Sequence, residues 1–134
     1  MKFLLDTHVL LWFISGDARL PAEWRDTISH PQHEICLSVV SLWEAIIKYQ
    51  LGRLSLPEPP ERYLPKQRER HQIANLPLDE ASVQQLATLS PIHRDPFDRM
   101  LVCQAIEHKL TTITVDDVFR AYPAPVLERA QPNK

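Results

Sequence analysis

The chain has 134 residues, of which 44% are hydrophobic and 24% charged, a composition typical of a globular protein with one domain and its own core. A formal net charge of −2 excludes a general attraction to nucleic acid, so any such contact must come from a local patch. No apolar stretch reaches the roughly 20 residues of a membrane helix, and Asp6 to His8 interrupt the apolar start where a secretory signal would continue, so we expect a cytoplasmic protein without membrane contact.

The first third of the chain alternates between strand and helix patterns. Residues 2 to 5 (KFLL) form an apolar run that predicts a strand buried on both faces and ending at Asp6. A helix follows as far as Gly16, and Pro21 opens a second one. Residues 34 to 40 (EICLSVV) predict the next strand. From Ser41 a helix runs to Gly52 and places these residues on one stripe: Trp43, Ile46, Ile47 and Leu51.

The remainder contains one irregular segment, two helices and one further strand. Residues 53 to 77 are rich in proline and hold the only basic concentration, which predicts irregular connections around one short charged helix. An amphipathic helix follows, capped by Asp79, with Val83, Leu86 and Ala87 facing inward. A helix then begins near Asp95 and ends near Lys109. Residues 110 to 115 (LTTITV) predict the last strand, a short helix (VFRAY) follows, and the domain spans 1–128 with a frayed tail over 129–134.

Strands that alternate with helices predict an α/β fold with a small parallel sheet. In such folds ligands bind beyond the carboxyl ends of the strands. Asp6 and Asp116 stand at predicted strand ends, Glu44 lies early in the helix after the second strand, and Asp98 lies in the first turn of another helix. The sequence therefore predicts four acids on one rim of the sheet.

Each acid also has a structural interpretation. Asp95 is expected to cap the helix that Pro96 opens, and Asp98 would then favour the helix dipole. Asp98 shares a stripe with apolar residues, however, which turns its carboxylate inward, where it needs a partner. The stripe consists of Leu101, Val102 and Ala105.

The other acids match capping positions in the same way. Ser41 and Glu44 fit a capping box, and Glu44 could form an exposed pair with Lys48. Asp6 or Thr7 could cap the first helix, and Asp116 or Asp117 the last one. These interpretations leave unexplained why positions that should meet at one edge all carry acids.

Clustered carboxylates repel one another unless they are protonated or bind cations. Ligand sets made only of oxygen favour Mg²⁺ or Mn²⁺, and Cys36 and Cys103 lack the spacing of a zinc or redox site, so we expect them to be reduced core residues. A cation in such a site neutralises phosphate and activates water, which makes phosphodiester hydrolysis the predicted chemistry.

Four segments in order resemble the PIN-domain ribonucleases, and within them the VapC-like toxins of bacterial type II toxin–antitoxin modules: LLDTHVLLW, SLWEAIIKYQLGRL, HRDPFDRMLVCQA and LTTITVDDVF. The resemblance implies a small parallel sheet flanked by helices and a Mg²⁺ or Mn²⁺ centre that cleaves RNA endonucleolytically. It also implies a cognate antitoxin and a homodimer, for which the Pro-rich segment 53 to 70 offers apolar surface. The acids of the family fall on Asp6, Glu44, Asp98 and Asp116.

Neighbouring polar residues have secondary roles in this interpretation. Thr7, Asp95 and Arg99 could support the acids or contact substrate, whereas His8 and His93 are at most surface or RNA-contact residues. One alternative function is a phosphatase or phosphotransferase with Asp6 as nucleophile, although position 8 lacks the usual second acid. The other is a catalytically silent module that binds a protein partner.

Overall fold

A computed structural model describes residues 1–92 and 94–128. Its sheet has the strand order β3-β2-β1-β4 with every pair parallel, which confirms the predicted α/β fold. The strands are β1 (Lys2–Leu5), β2 (Glu34–Ser38), β3 (Ala74–Leu76) and β4 (Thr111–Ile113). The helices are α1 (Thr7–Ser15), α2 (Ala22–Ser29), α3 (Val39–Gln50), α4 (Pro60–Arg70), α5 (Glu80–Gln84) and α6 (Pro96–His108), with 3₁₀ turns at Gln85–Ala87 and Asp117–Ala121.

The sheet separates two apolar clusters, because alternate strand residues face opposite sides. Phe3 and Leu5 pack with residues of α1, α2 and α4 on one face. Leu4 packs with residues of α6 and with Phe119 on the other face. The cysteines are free thiols, as expected. Cys103 is buried, and Cys36 is half-buried, where burial raises its thiol pKa to about 11.

The helix after β2 begins earlier than its sequence pattern predicts. β2 ends at Ser38, whose hydroxyl accepts a hydrogen bond from the backbone N–H of Val40, so Ser38 is the N-cap and the capping box at Ser41 is wrong. The buried face of α3 consists of Val40, Ser41, Glu44 and Ala45.

The predicted apolar stripe of α3 is largely exposed. Trp43 is 54% exposed and Leu51 61%, and Val39 and Ile47 lie on the same face at four-residue spacing. The helix can turn Glu44 inward because this carboxylate has hydrogen-bonding partners there, as described below. We name the exposed face formed by Val39, Trp43, Ile47 and Leu51 the α3 apolar face.

Other differences lie in the second half of the chain. The Pro-rich segment contains α4, as expected, but also β3, whose three residues pair with β2. The amphipathic helix is shorter than predicted because it tightens into a 3₁₀ turn after Gln84. Val83 and Ala87 are therefore exposed and Leu86 is half-buried, while Ser82 and Leu89 take the buried positions.

The remaining predictions concern the last strand, the tail and membrane contact. The last strand ends at Ile113 rather than at residue 115. The predicted tail at 129–134 and His93 lie outside the described residues. Within the residues that are described, every helix is too short or too polar to span a membrane.

Candidate active site

The carboxyl ends of the central strands open into a cavity of about 370 Å³ lined mainly by charged residues. All four acids selected from the sequence line it, together with Asp95. The lining consists of Asp6, His8, Glu44, Lys48, Asp95, Asp98, Val115 and Asp116. We call it the acid cavity. β1 delivers Asp6, α3 delivers Glu44, α6 begins with Asp95 and Asp98, and the chain beyond β4 delivers Asp116.

Asp6 is 5% exposed and occupies the N-cap position of α1, yet its side chain makes no capping hydrogen bond. Instead, its Oδ2 accepts a hydrogen bond of 2.8 Å from the hydroxyl of Thr114. Burial raises the pKa of Asp6 and outweighs this hydrogen bond and the charge of His8, which lower it, while the charge of Glu44 raises it further. The capping interpretation of Asp6 is therefore wrong, and the carboxylate is held in the cavity at a cost that a cation would offset.

Glu44 is 3% exposed, so its ion pair with the half-buried Lys48 is not the exposed surface pair that the sequence allowed. Its Oε1 accepts a 2.9 Å hydrogen bond from Thr7 Oγ1, and its Oε2 lies 2.7 Å from Lys48 Nζ. Burial acts to lower the pKa of Lys48, but the hydrogen bond to Glu44 and the charges of Asp95 and Asp98 outweigh it and raise that pKa. Lys48 thus remains charged and neutralises part of the cavity.

Asp95 combines two roles that the sequence left separate. Its Oδ1 accepts hydrogen bonds from the backbone N–H groups of Phe97 and Asp98, which confirms the helix cap. Its carboxylate also lies with those of Glu44 and Asp98, where one oxygen from each falls within 4.8 Å of the others. In the described part of the chain, these three acids are the only group of potential metal ligands that close together.

Asp116 is exposed at the edge of the cavity and caps the final 3₁₀ turn through a hydrogen bond from Val118 N–H. Thr7 does not line the cavity but positions Glu44. Arg99 is not among the lining residues. All ligand atoms that the acids offer are oxygens, so the residues present fit a hard divalent cation such as Mg²⁺ or Mn²⁺.

Thr114 has a role that no sequence pattern indicated. Its hydroxyl donates to Asp6 and accepts from the backbone N–H of Asp116, so one buried side chain connects two of the acids. A threonine two residues before an aspartate at a strand end is a signal that could have found it, because short hydroxyl side chains bond the backbone two residues on.

The structure is thus an α/β domain with a group of acids beyond the carboxyl ends of its parallel strands. The chain belongs to the PIN domain family, whose model matches residues 3–125. It is similar to "Ribonuclease VapC22" of Mycobacterium tuberculosis (strain ATCC 25618 / H37Rv), with 28% identity over 125 residues that cover 92% of this chain and 95% of that protein.

Solved structures share the fold. VapBC2 from Rickettsia felis, bound to a DNA fragment from its promoter, aligns with a TM-score of 0.68 at 16% identity over 98% of this chain and all of the other. DNA-bound VapBC from Salmonella typhimurium aligns with a TM-score of 0.61 at 22% identity over 96% of this chain and 97% of the other.

Proposed function

We propose that this protein is an endoribonuclease that requires Mg²⁺ or Mn²⁺ and acts as the toxin of a type II toxin–antitoxin module in the cytoplasm, where its RNA substrate is found. The observation that carries the proposal is the single cavity lined by Asp6, Glu44, Asp98 and Asp116. Membership of the PIN domain family and the similarity to a protein named as a ribonuclease support it.

The proposed cation ligands are Asp6, Glu44, Asp98 and Asp116, with Asp95 close enough to contribute. When bound, the cation supplies charge neutralisation for the phosphodiester and activates water for attack on phosphorus. Thr114 and Thr7 hold the carboxylates of Asp6 and Glu44 in position through their hydroxyl groups. These groups are buried, so little reorganisation is required when substrate arrives.

The test is cleavage of single-stranded RNA by purified protein with Mg²⁺, with Mn²⁺ and with excess chelator. Asp6→Asn, Glu44→Gln, Asp98→Asn and Asp116→Asn should each lose most activity, whereas Asp95→Asn should lose less because asparagine caps a helix equally well. Asp26→Asn, an exposed acid of α2, is the matched control and should cleave like wild type.

Undiminished cleavage in chelator, or in all four variants, would contradict the proposal. Release of phosphate from a phosphomonoester without RNA cleavage would favour the phosphatase alternative. Folded protein with neither activity would favour the silent binding module. Sequencing of the RNA ends after brief induction in cells would then identify the cleavage site.

We also propose an antitoxin partner, encoded beside this chain, that covers the acid cavity. The structural relatives support it, since they are VapBC assemblies bound to DNA. A co-expressed neighbouring gene product that neither binds the protein nor suppresses RNA cleavage would contradict this partner.

A homodimer is the third part of the proposal, and the α3 apolar face is the surface we assign to it. Trp43 packs edge-on against Phe97, with ring centroids 4.9 Å apart, so the face extends to the start of α6. Contiguous exposed apolar patches mark interfaces, and a twofold axis would pair this face with itself. The segment 53 to 70 offers less than expected, because Pro60 and Leu64 are buried.

Light scattering of wild type and Trp43→Glu tests the dimer. Wild type should give the dimer mass and the variant the monomer mass, because a buried charge at the interface would lack a partner. A wild-type monomer at every concentration would refute the dimer.

A further inference from the structure

A second cavity adjoins the acid cavity on the side of α1. It has a volume of about 360 Å³, and one wall is formed by His8, Leu11 and Trp12. Residues 54–57 and Tyr63 also line it. His8 also lines the acid cavity, so the two spaces meet at this residue. We call the second cavity the base groove.

The base groove presents groups that stack on planar rings. Trp12 is half-buried, and its ring centroid lies 6.5 Å from that of His8, one helical turn earlier. The guanidinium of Arg19 lies over the Trp12 ring, 4.9 Å from its centroid. Indole rings, imidazoles and guanidinium groups are the side chains on which proteins stack unpaired bases.

The Arg19 side chain, although 69% exposed, is oriented by an ion pair with Asp17. Its Nε and Nη2 donate to the carboxylate of Asp17 over distances of 2.7–3.2 Å. The same hydrogen bonds lower the pKa of Asp17 to about 2, so the pair stays charged at any physiological pH. The stacking surface therefore exists before any ligand arrives, which reduces the entropy lost on binding.

We infer that the base groove binds one unpaired nucleobase of the RNA strand, next to the phosphate that enters the acid cavity; the inference rests on the proposed function. A phosphodiester positioned at the acid cavity carries a base on each side, and His8 lines both cavities, so a strand can pass from one to the other there. A peptide segment of a protein partner could also contact the apolar residues of the base groove. A peptide, however, carries no phosphate that has to lie next to the groove in the acid cavity.

The experiment measures the affinity of short single-stranded RNA of mixed sequence by fluorescence anisotropy, with Mg²⁺, in an Asp116→Asn background that the proposed function makes inert. A strand of equal length without bases is the second probe. Trp12→Leu should weaken binding of the RNA about tenfold or more and leave the abasic strand unchanged, because only bases stack. Trp12→Phe should restore most of the affinity, and Tyr49→Leu, a half-buried ring outside both cavities, should bind like the background protein.

Arg19→Met is a second test. The Arg19 side chain is 69% exposed, so its replacement should leave the fold intact. This substitution should lower the affinity for RNA more than the affinity for the abasic strand. If the affinity for both strands fell equally, Arg19 would act only through its charge, and the inference would be overturned. RNA affinity unchanged by Trp12→Leu would also overturn it, and if that variant lost the neighbouring antitoxin instead, the groove would be a protein-docking site.

The two proposals fail in different ways. If wild type neither binds nor cleaves RNA, the proposed function falls and the inference falls with it. If wild type cleaves RNA while Trp12→Leu and Arg19→Met keep both affinity and the base preference at the cut, only the inference falls.

Discussion

Replacement of Asp6 by asparagine should stabilise the protein in the absence of divalent cations. Asp6 is 5% exposed, makes no capping bond to α1 and lies beside Glu44 in a cavity of like charges. An asparagine side chain has nearly the same shape, and its carbonyl oxygen can accept the hydrogen bond that Thr114 donates. The substitution therefore removes a charge without removing a structural contact.

Burial of the charge is the largest cause of the raised Asp6 pKa, and the charges of His8 and Glu44 act on that pKa in opposite directions, so Coulomb's law sets only an upper bound on the repulsive part. Two charges about 4 Å apart interact by roughly 1 kcal/mol in water and roughly 4 kcal/mol at an effective permittivity near 20. Since the cavity is open to solvent and Lys48 offsets part of its charge, we expect Asp6→Asn to raise the free energy of unfolding by about 1–3 kcal/mol. For a domain of this size that corresponds to a rise in melting temperature of about 3–10 °C.

The effect should depend on pH in a defined direction. Burial raises the pKa of folded Asp6 above its ordinary value of 3.8, so the native state holds more protons than the unfolded chain between these two pKa values. Wild type therefore keeps the full contribution of Asp6 below pH 3.8 and loses it as pH rises through the folded-state pKa. Asparagine does not titrate, so the advantage of the variant should be absent in acid, grow through this interval and stay constant above it.

Thermal melts followed by circular dichroism, with chelator and over a pH series, would measure the difference. Asp26→Asn is the control, because an exposed charge should change stability by less than about 0.5 kcal/mol. Saturating Mn²⁺ should reverse the order of wild type and Asp6→Asn, since only wild type keeps the complete ligand set. If Asp6→Asn is less stable than wild type in chelator, and Mn²⁺ stabilises both equally, then Asp6 is a structural residue and the reasoning is refuted.

Three further substitutions test the packing around the site by urea denaturation. Thr114→Val should cost about 1–3 kcal/mol, because it leaves the buried Asp6 carboxylate without its donor, whereas Thr114→Ser should restore most of the loss. Gln104→Leu should cost about 2 kcal/mol, because fully buried Gln104 accepts from Ser38 and donates to the carbonyl of Pro77. Trp24→Ala should cost about 3–5 kcal/mol, because Trp24 is 1% exposed in the cluster beneath α2, and a smaller loss would show that the core collapses into the space.

The location of the acids could be predicted from the sequence because it depends on topology. Parallel strands bring their carboxyl ends to one edge, so a strand pattern followed by an acid fixes the place of Asp6 and Asp116 whatever the details of packing. Asp98 could be placed because it shares a helical stripe with apolar residues that face inward, namely Leu101, Val102 and Ala105.

The orientation of α3 could not be predicted in this way. Hydrophobic periodicity identifies an apolar stripe but not which face the rest of the chain covers, and Trp43 belongs to a stripe that this chain leaves exposed. Glu44 faces inward because Thr7, which lies 37 positions earlier in the chain, donates a hydrogen bond to it. The hydrogen bond between Thr114 and Asp6 could not be predicted for the same reason, since the two residues are 108 positions apart.

That last separation bears on how the protein is made. The backbone N–H of Asp6 donates to the carbonyl of Ile113, and β4 pairs with β1, so the residues that follow the first and last strands lie together in the acid cavity. During synthesis Asp6 emerges more than 100 residues before Thr114 and Asp116, so for that interval its carboxylate has neither its hydrogen-bond donor nor its neighbouring acid. A chain cut before β4 therefore cannot form the acid cavity, because both Thr114 and Asp116 are missing from it.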